Sequence, residues 1–228
     1  MQTAKKMAVV MLLAMVALTA INSTAYATFE MKLWDSDGNS VTVPETVPGS
    51  GQIIKIDGTL GSWTFSQNVG LGSPLVGSLS APEMDLNFGI SSGPTTSGKW
   101  LKIALSETGF TTGPAGVTLT AGGTLGGGND VFQAYYDPTN QLYGGITGSA
   151  ISALGPYTSS SFNGTNSNGS IAGGLYSLSV LGTFTSNGQS LHSGGDVGMT
   201  VTPTPIPAAL WLFGPGLVGL VGLRKKLS

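Results

Sequence analysis

The sequence predicts an all-β fold, a single antiparallel β-sandwich of about eight to twelve short strands. Three observations predict it. Apolar and polar residues alternate with period two in several separate runs. Glycine is abundant, with 36 in 228 residues, and clusters with Pro, Asn, Asp and Ser between those runs. Only 9% of residues are charged, and no run between the two ends has the Ala, Glu, Lys and Leu content of a stable helix.

Taken in order, Met31–Trp34 and Ser40–Val43 flank Asp35-Ser36-Asp37-Gly38-Asn39, which reads as a hairpin turn. Trp63, Phe65 and Val69 alternate with Thr64, Ser66 and Asn68. Met84, Leu86, Phe88 and Ile90 alternate with Asp85, Asn87 and Gly89, and Leu101, Ile103 and Leu105 with Lys102, Ala104 and Ser106. The triplets Val117-Leu119-Ala121, Tyr176-Leu178-Val180 and Val197-Met199-Val201 continue the pattern. One apolar and one polar face per strand suits antiparallel sheets with one wet side. Turn-rich separators are expected at 44–51, 70–74, 91–98, 122–129 and 163–174, with 158–174 as a long loop or an exposed hairpin tip.

Both ends read differently. Lys5 and Lys6 precede an apolar run from Met7 to Ala20, and Ala25 and Ala27 form an A-x-A site, so residues 1–27 have the pattern of a secretory signal peptide cut before Thr28. Residues 28–201 form the β-domain, and 202–207, with Pro203, Pro205 and Pro207, an extended linker. The segment 208–226 holds sixteen apolar residues, Ala208 to Leu223, then Arg224, Lys225 and Lys226. As a transmembrane helix the apolar run is about 24 Å long, barely enough to cross a bilayer. The basic cluster would stay cytoplasmic and leave the body outside.

The proline spacer, the early Trp211-Leu212-Phe213-Gly214, Gly216 and the terminal basic cluster together resemble a PEP-CTERM sorting signal. The closest variant reads Val-Pro-Leu-Pro-Ala-Ala-x-Trp-Leu-Phe-Gly-Ser-Gly-Leu. Pro205-Ile206-Pro207 stands where Pro-Glu-Pro is usual, and Gly214-Pro215-Gly216 where Gly-Ser-Gly is. The resemblance implies a Gram-negative host with exopolysaccharide loci and signal peptidase and exosortase as processing partners. It also implies an inner-membrane intermediate, then delivery to the cell surface or extracellular matrix. In the body, Met84-Asp85-Leu86-Asn87, the run Leu101 to Thr111 and Tyr176-Ser177-Leu178 resemble the uncharacterised β-domain of many such proteins.

Charge and motifs narrow the chemistry. The body carries four lysines and no arginine against all eleven acids, a net charge of −7, which disfavours nucleic acid. The absence of Cys excludes disulfides and thiol catalysis. His192 is the single histidine; it stands in a Gly/Ser-rich stretch that reads as a turn, and no Gly-x-Ser-x-Gly elbow accompanies it. Asp35, Asp37 and Asn39 offer crowded oxygens for calcium, although the spacing is not that of an EF-hand. Glu83 and Asp85 share one face of a strand. Trp100, Tyr135 and Tyr143, with Tyr136 and Tyr157, are candidates to stack on sugar rings, and Trp100 falls on the polar phase of its strand.

The expected function is that of a non-enzymatic surface or matrix protein associated with exopolysaccharide, with no catalytic residues and no obligatory cofactor. A lectin-like carbohydrate-binding module and a polysaccharide hydrolase or lyase are the alternatives.

Overall fold

The structure is a computed structural model that describes residues 27–46, 54–94 and 98–204. The candidate leader with Ala25, and the sorting segment with Pro205, Pro207, Trp211, Gly214, Gly216, Arg224, Lys225 and Lys226, lie outside the described residues. Among the described residues no helix is long and apolar enough to cross a membrane.

Thirteen strands are present among the described residues: β1 (Phe29–Asp35), β2 (Ser40–Pro44), β3 (Ile54–Leu60), β4 (Trp63–Leu71), β5 (Gly77–Ser78), β6 (Ala81–Ser92), β7 (Trp100–Thr112), β8 (Ala115–Gly126), β9 (Gly128–Asp137), β10 (Ser152–Tyr157), β11 (Ser161–Ile171), β12 (Gly174–Ser186) and β13 (Leu191–Pro203). They form two antiparallel sheets packed as a β-sandwich. One runs β10-β9-β12-β7-β1-β2, the other β11-β8-β13-β6-β4-β3, with β5 appended to β6. Several strands reach twelve or thirteen residues, longer than the sequence pattern suggests, because pairing with neighbouring strands holds glycine-rich stretches extended.

The alternation places the core. Phe29, Met31 and Leu33 of β1, Met84, Leu86, Phe88 and Ile90 of β6, Leu101, Ile103 and Leu105 of β7, and Val197, Met199 and Val201 of β13 all point inward and are buried. Phe132 sits at the centre, with ring centroids 5.3 Å from Phe88, 5.7 Å from Phe162, 6.1 Å from Phe184 and 6.3 Å from Tyr157. These five rings come from both sheets and pin one to the other.

Several expectations are corrected. Residues 161–171 are not a loop or a hairpin tip: they form edge strand β11, registered on β8 from Ser161↔Thr124 to Ile171↔Ala115. The separator expected at 122–129 is strand except at Gly127, whose φ of 76° makes the turn from β8 to β9. His192 is the second residue of β13, exposed and in register with Ser91 and Gly126, rather than in a turn. In β4 a bulge inverts the phase: Phe65 pairs with Ile90 and Val69 with Asn87, so β4 spends one residue more than β6. Gln67 takes φ 57°, Asn68 turns inward and is fully buried, and Val69 turns outward. The bulge is held by the Asp57 carboxylate, which accepts from Gln67 N–H, and by Gly89 N–H, which donates to Asn68 Oδ1 at 2.9 Å. Gly89 is required there, since a Cβ would meet Ser66 O at 2.6 Å.

Candidate functional site

The outer face of the second sheet carries a groove. Three central strands define its floor by register. Successive rows across β6, β13 and β8 read Ser91–His192–Gly126, Gly89–Gly194–Thr124, Asn87–Asp196–Gly122 and Asp85–Gly198–Thr120. Glycine takes one or two places in each row, so backbone is laid open between the polar side chains of the floor. The bulge of β4 lifts Ser66 and Gln67 alongside as a wall. The result is three adjoining recesses. One of about 300 Å³ is lined by Ser66, Ser91, Thr124 and His192. One of about 530 Å³ is lined by Gln67, Asn87, Gly194 and Asp196. One of about 320 Å³ is lined by Glu83, Asp85, Thr120 and Asp196.

The groove is polar and acidic. Burial, with the charge of Asp196 alongside, pushes the Asp85 carboxyl up to about 6. Asn87 Nδ2 donates to Asp85 Oδ1 at 2.7 Å. Glu83 and Asp85 do share a face, as their spacing implies, and Asp196 joins them from the neighbouring strand. No lysine lines any of the three recesses: Lys55 pairs with Asp57 at 3.4 Å and Lys99 with Asp37 at 2.7 Å, while Lys32 and Lys102 lie over aromatic rings on the other sheet. Such a surface offers hydroxyl, amide and carboxylate groups to a polyol and repels polyanions.

The aromatic candidates sit elsewhere: Trp100, Tyr135 and Tyr143 on the outer face of the first sheet, Tyr136 and Tyr157 against the core between the sheets. On that outer face Trp34, Ala104, Leu181 and Tyr135 form a small satellite core beneath the segment that carries Tyr143, Ile146 and Ala150. Tyr135 is 5% exposed and offers no free ring face. Tyr143 is half-buried, with φ 59° and a buried hydroxyl; burial raises its phenol above the usual range, with Glu30 adding to the effect. Tyr136 and Tyr157 pack on Tyr176 and Phe162. Trp100 is half-buried, and Lys102 Nζ lies 4.9 Å from its ring centroid. The structure therefore does not bring the tyrosines together as a stacking platform.

The Asp35 cluster acts as a turn. Asp35 Oδ1 accepts from Asp37 N–H and Asn39 N–H, each at 2.9 Å, and Asp35 Oδ2 accepts from Asn39 Nδ2 at 2.9 Å. Asp37 is held by Lys99. Among the described residues no group of three or more His, Cys, Asp or Glu side chains is placed to hold a metal.

Two buried acids, Glu107 and Asp130, belong to no sequence motif. Period-two counting from Leu101, Ile103 and Leu105 lands on Glu107, and counting back from Phe132 lands on Asp130. Both are fully buried. Burial pushes Glu107 up to about 8, against the bond from Ser73 N–H to its Oε2 at 3.0 Å and with the charge of Glu45 adding to the rise. Burial pushes Asp130 up to about 7, and Ser193 Oγ donates to its Oδ2. Glu107 Oε1 and Asp130 Oδ1 have no hydrogen-bond partner.

No protein-family model and no curated protein sequence matches the chain. Solved structures resemble it at low level, and carbohydrate-binding modules are among them. The enzymatically active domain of tailspike protein 4 of bacteriophage CBA120 aligns with TM-score 0.33 and 9% identity, over 60% of this chain but only 19% of that one. The CBM22-1 xylan-binding domain of Paenibacillus barcinonensis Xyn10C aligns with TM-score 0.28 and 13% identity, over 68% of this chain and 97% of that one. The VP2 subviral particle of infectious bursal disease virus aligns with TM-score 0.31 and 10% identity, over 83% and 56%. The likeness is one of β-architecture.

Proposed function

We propose that the chain is a non-catalytic, polysaccharide-binding protein of the cell exterior, delivered there by the signal peptide and the exosortase-type tail. The single observation that carries the binding role is the glycine-floored groove. Its recesses follow one another along β6, β13 and β8, which suits an extended polymer better than a compact metabolite. Its side chains are hydrogen-bonding groups, and its acids favour neutral or amino-sugar chains over anionic ones. The PEP-CTERM-like tail supports the exterior destination and the association with exopolysaccharide.

The groove has a clean test. A Cβ on Gly194 meets nothing nearer than 3.7 Å, so Gly194→Val keeps the strand and fills the floor. Full-length wild type should be retarded in gels containing neutral polysaccharide. Gly194→Val should lose at least about tenfold in affinity, or about 1.4 kcal/mol, with an unchanged melting temperature. Equal retardation of both proteins would remove the groove from consideration, and release of reducing ends would establish a hydrolase instead. The sorting claim has its own check: mass spectrometry of the mature C-terminus in the host should find the chain cut near Pro205–Pro207, and deletion of 205–228 should abolish surface delivery.

A further inference from the structure

The three exposed large hydrophobic side chains among the described residues are Leu75, Leu79 and Leu175, at 54%, 39% and 50% exposure. They belong to one end of the sandwich. Leu79 O accepts from Thr111 N–H at 2.9 Å, and Leu175 is the register partner of Thr111 on β12. Leu75 lies in the 72–76 turn, which is tied to the same end by Ser73 N–H on Glu107 and by Gly72 against the Phe29 ring.

Both ends of the described chain meet this pole. Thr28 exchanges bonds of 3.0 Å with Thr108 through its N–H and its C=O, and Ala27 lies against Gly109. At the other terminus Pro203 pairs with Ala115, and Thr204 N–H donates to Pro114 O at 3.0 Å. Segments 72–82, 109–116, 171–175 and 202–204 contain no Asp, Glu, Lys or Arg. These four segments are uncharged in a body whose net charge is −7, with Glu45 and Glu107 buried behind them and Glu83 exposed at their border. Scattered exposed leucines are ordinary, but here all three share one pole and stand on segments without a charged residue. The apolar run 208–223 begins four residues beyond Thr204, a reach of at most about 14 Å.

We propose that this pole is a membrane-facing surface, with Leu75, Leu79 and Leu175 seated in the interfacial layer of a phospholipid bilayer, given the assignment of 208–223 as a membrane segment. The groove then runs up the side of the sandwich, with His192 at its far end, open to polymer while the chain is tethered.

The chain has no cysteine, so single labels are easily placed. Full-length Leu175→Cys, and Ser190→Cys at the opposite pole, would each carry an environment-sensitive fluorophore. Each protein would be reconstituted into phosphatidylcholine vesicles containing a spin-labelled lipid quencher. The expected result is that both proteins float with the vesicles, while only the label at 175 is blue-shifted and quenched, several-fold more than the label at 190. Flotation with equal quenching at the two positions would overturn the membrane-facing pole and leave the tail assignment intact. Failure of either protein to float would overturn the tail assignment and the pole together. A Leu75→Ser/Leu79→Ser/Leu175→Ser variant bearing a label at Thr111→Cys should float but show reduced quenching relative to the same label in the leucine background; unchanged quenching would also count against the leucines.

Discussion

Acidifying the protein from pH 8 to pH 5 should raise its stability rather than lower it. The cause is the pair of acids in the core phase of β7 and β9. Glu107 ionises near 8 and Asp130 near 7 in the folded state, against ordinary values of 4.5 and 3.8. Between the ordinary and the raised value the unfolded chain releases a proton that the folded chain keeps, so stability falls as pH rises through that window. Below about pH 4 both states are protonated and the groups contribute no penalty. Above pH 8 the full penalty is present, of the order of 4 kcal/mol for each acid. The gain on acidification ends near pH 4, where other carboxylates begin to lose folded-state bonds. Burial pushes Asp137 up, but hydrogen bonds from Thr139 N–H, Thr139 Oγ1 and Gln141 N–H outweigh it and hold it below the usual range. Urea unfolding at pH 5, 6.5 and 8 should show the slope. Glu107→Gln and Asp130→Asn, which cannot ionise, should each flatten it, with an advantage over wild type that grows by about 3 kcal/mol between pH 5 and pH 8. A wild-type profile that is flat or rises with pH would contradict the placement of these side chains.

Phe132→Ala should be among the most damaging single substitutions in the body, at about 3–5 kcal/mol. The ring is fully buried and touches four other aromatic rings, two of them on the facing sheet. Removing it leaves a cavity between layers whose strands are pinned by long ladders on both sides, so the gap has little means of collapse. The midpoint in urea should fall sharply with the slope of the transition unchanged. Phe132→Leu should recover roughly half of the loss, because most of the volume returns while the ring contacts do not. A loss below about 1 kcal/mol in the alanine variant would mean that the two sheets are not joined through this ring.

How much of this was legible in the sequence depends on what sets each feature. The sandwich, its antiparallel character and the inward residues of β6, β7 and β13 follow from period-two alternation, because one face of each strand must be apolar. Strand β11 was not legible: Asn163, Gly164, Asn166 and Gly169 have turn chemistry, and only the neighbouring β8 gives their backbone a reason to stay extended. The same holds for Gly122–Gly126 of β8. In β4 alternation predicts the wrong phase after Phe65, since a bulge at Gln67 depends on Asp57 and Gly89 from two other strands. The groove was invisible for a related reason. Its residues lie on four strands up to about 130 positions apart, and only register aligns Asn87 with Asp196 and Gly89 with Gly194. Tyr135 and Tyr143 look like sugar platforms by type; the fold spends them on covering a second apolar cluster.

Under the proposed cleavage after Ala27, the seating of Ala27 and Thr28 sets an order of events. A peptidase that recognises small side chains needs an open, extended stretch of chain, yet Ala27 is 6% exposed and both main-chain groups of Thr28 are engaged by a residue eighty positions downstream. Once that first strand has docked, the peptide bond after Ala27 is shielded. Under the proposed export, cutting after Ala27 would have to precede the docking of this strand, and a molecule that folded first would keep its leader.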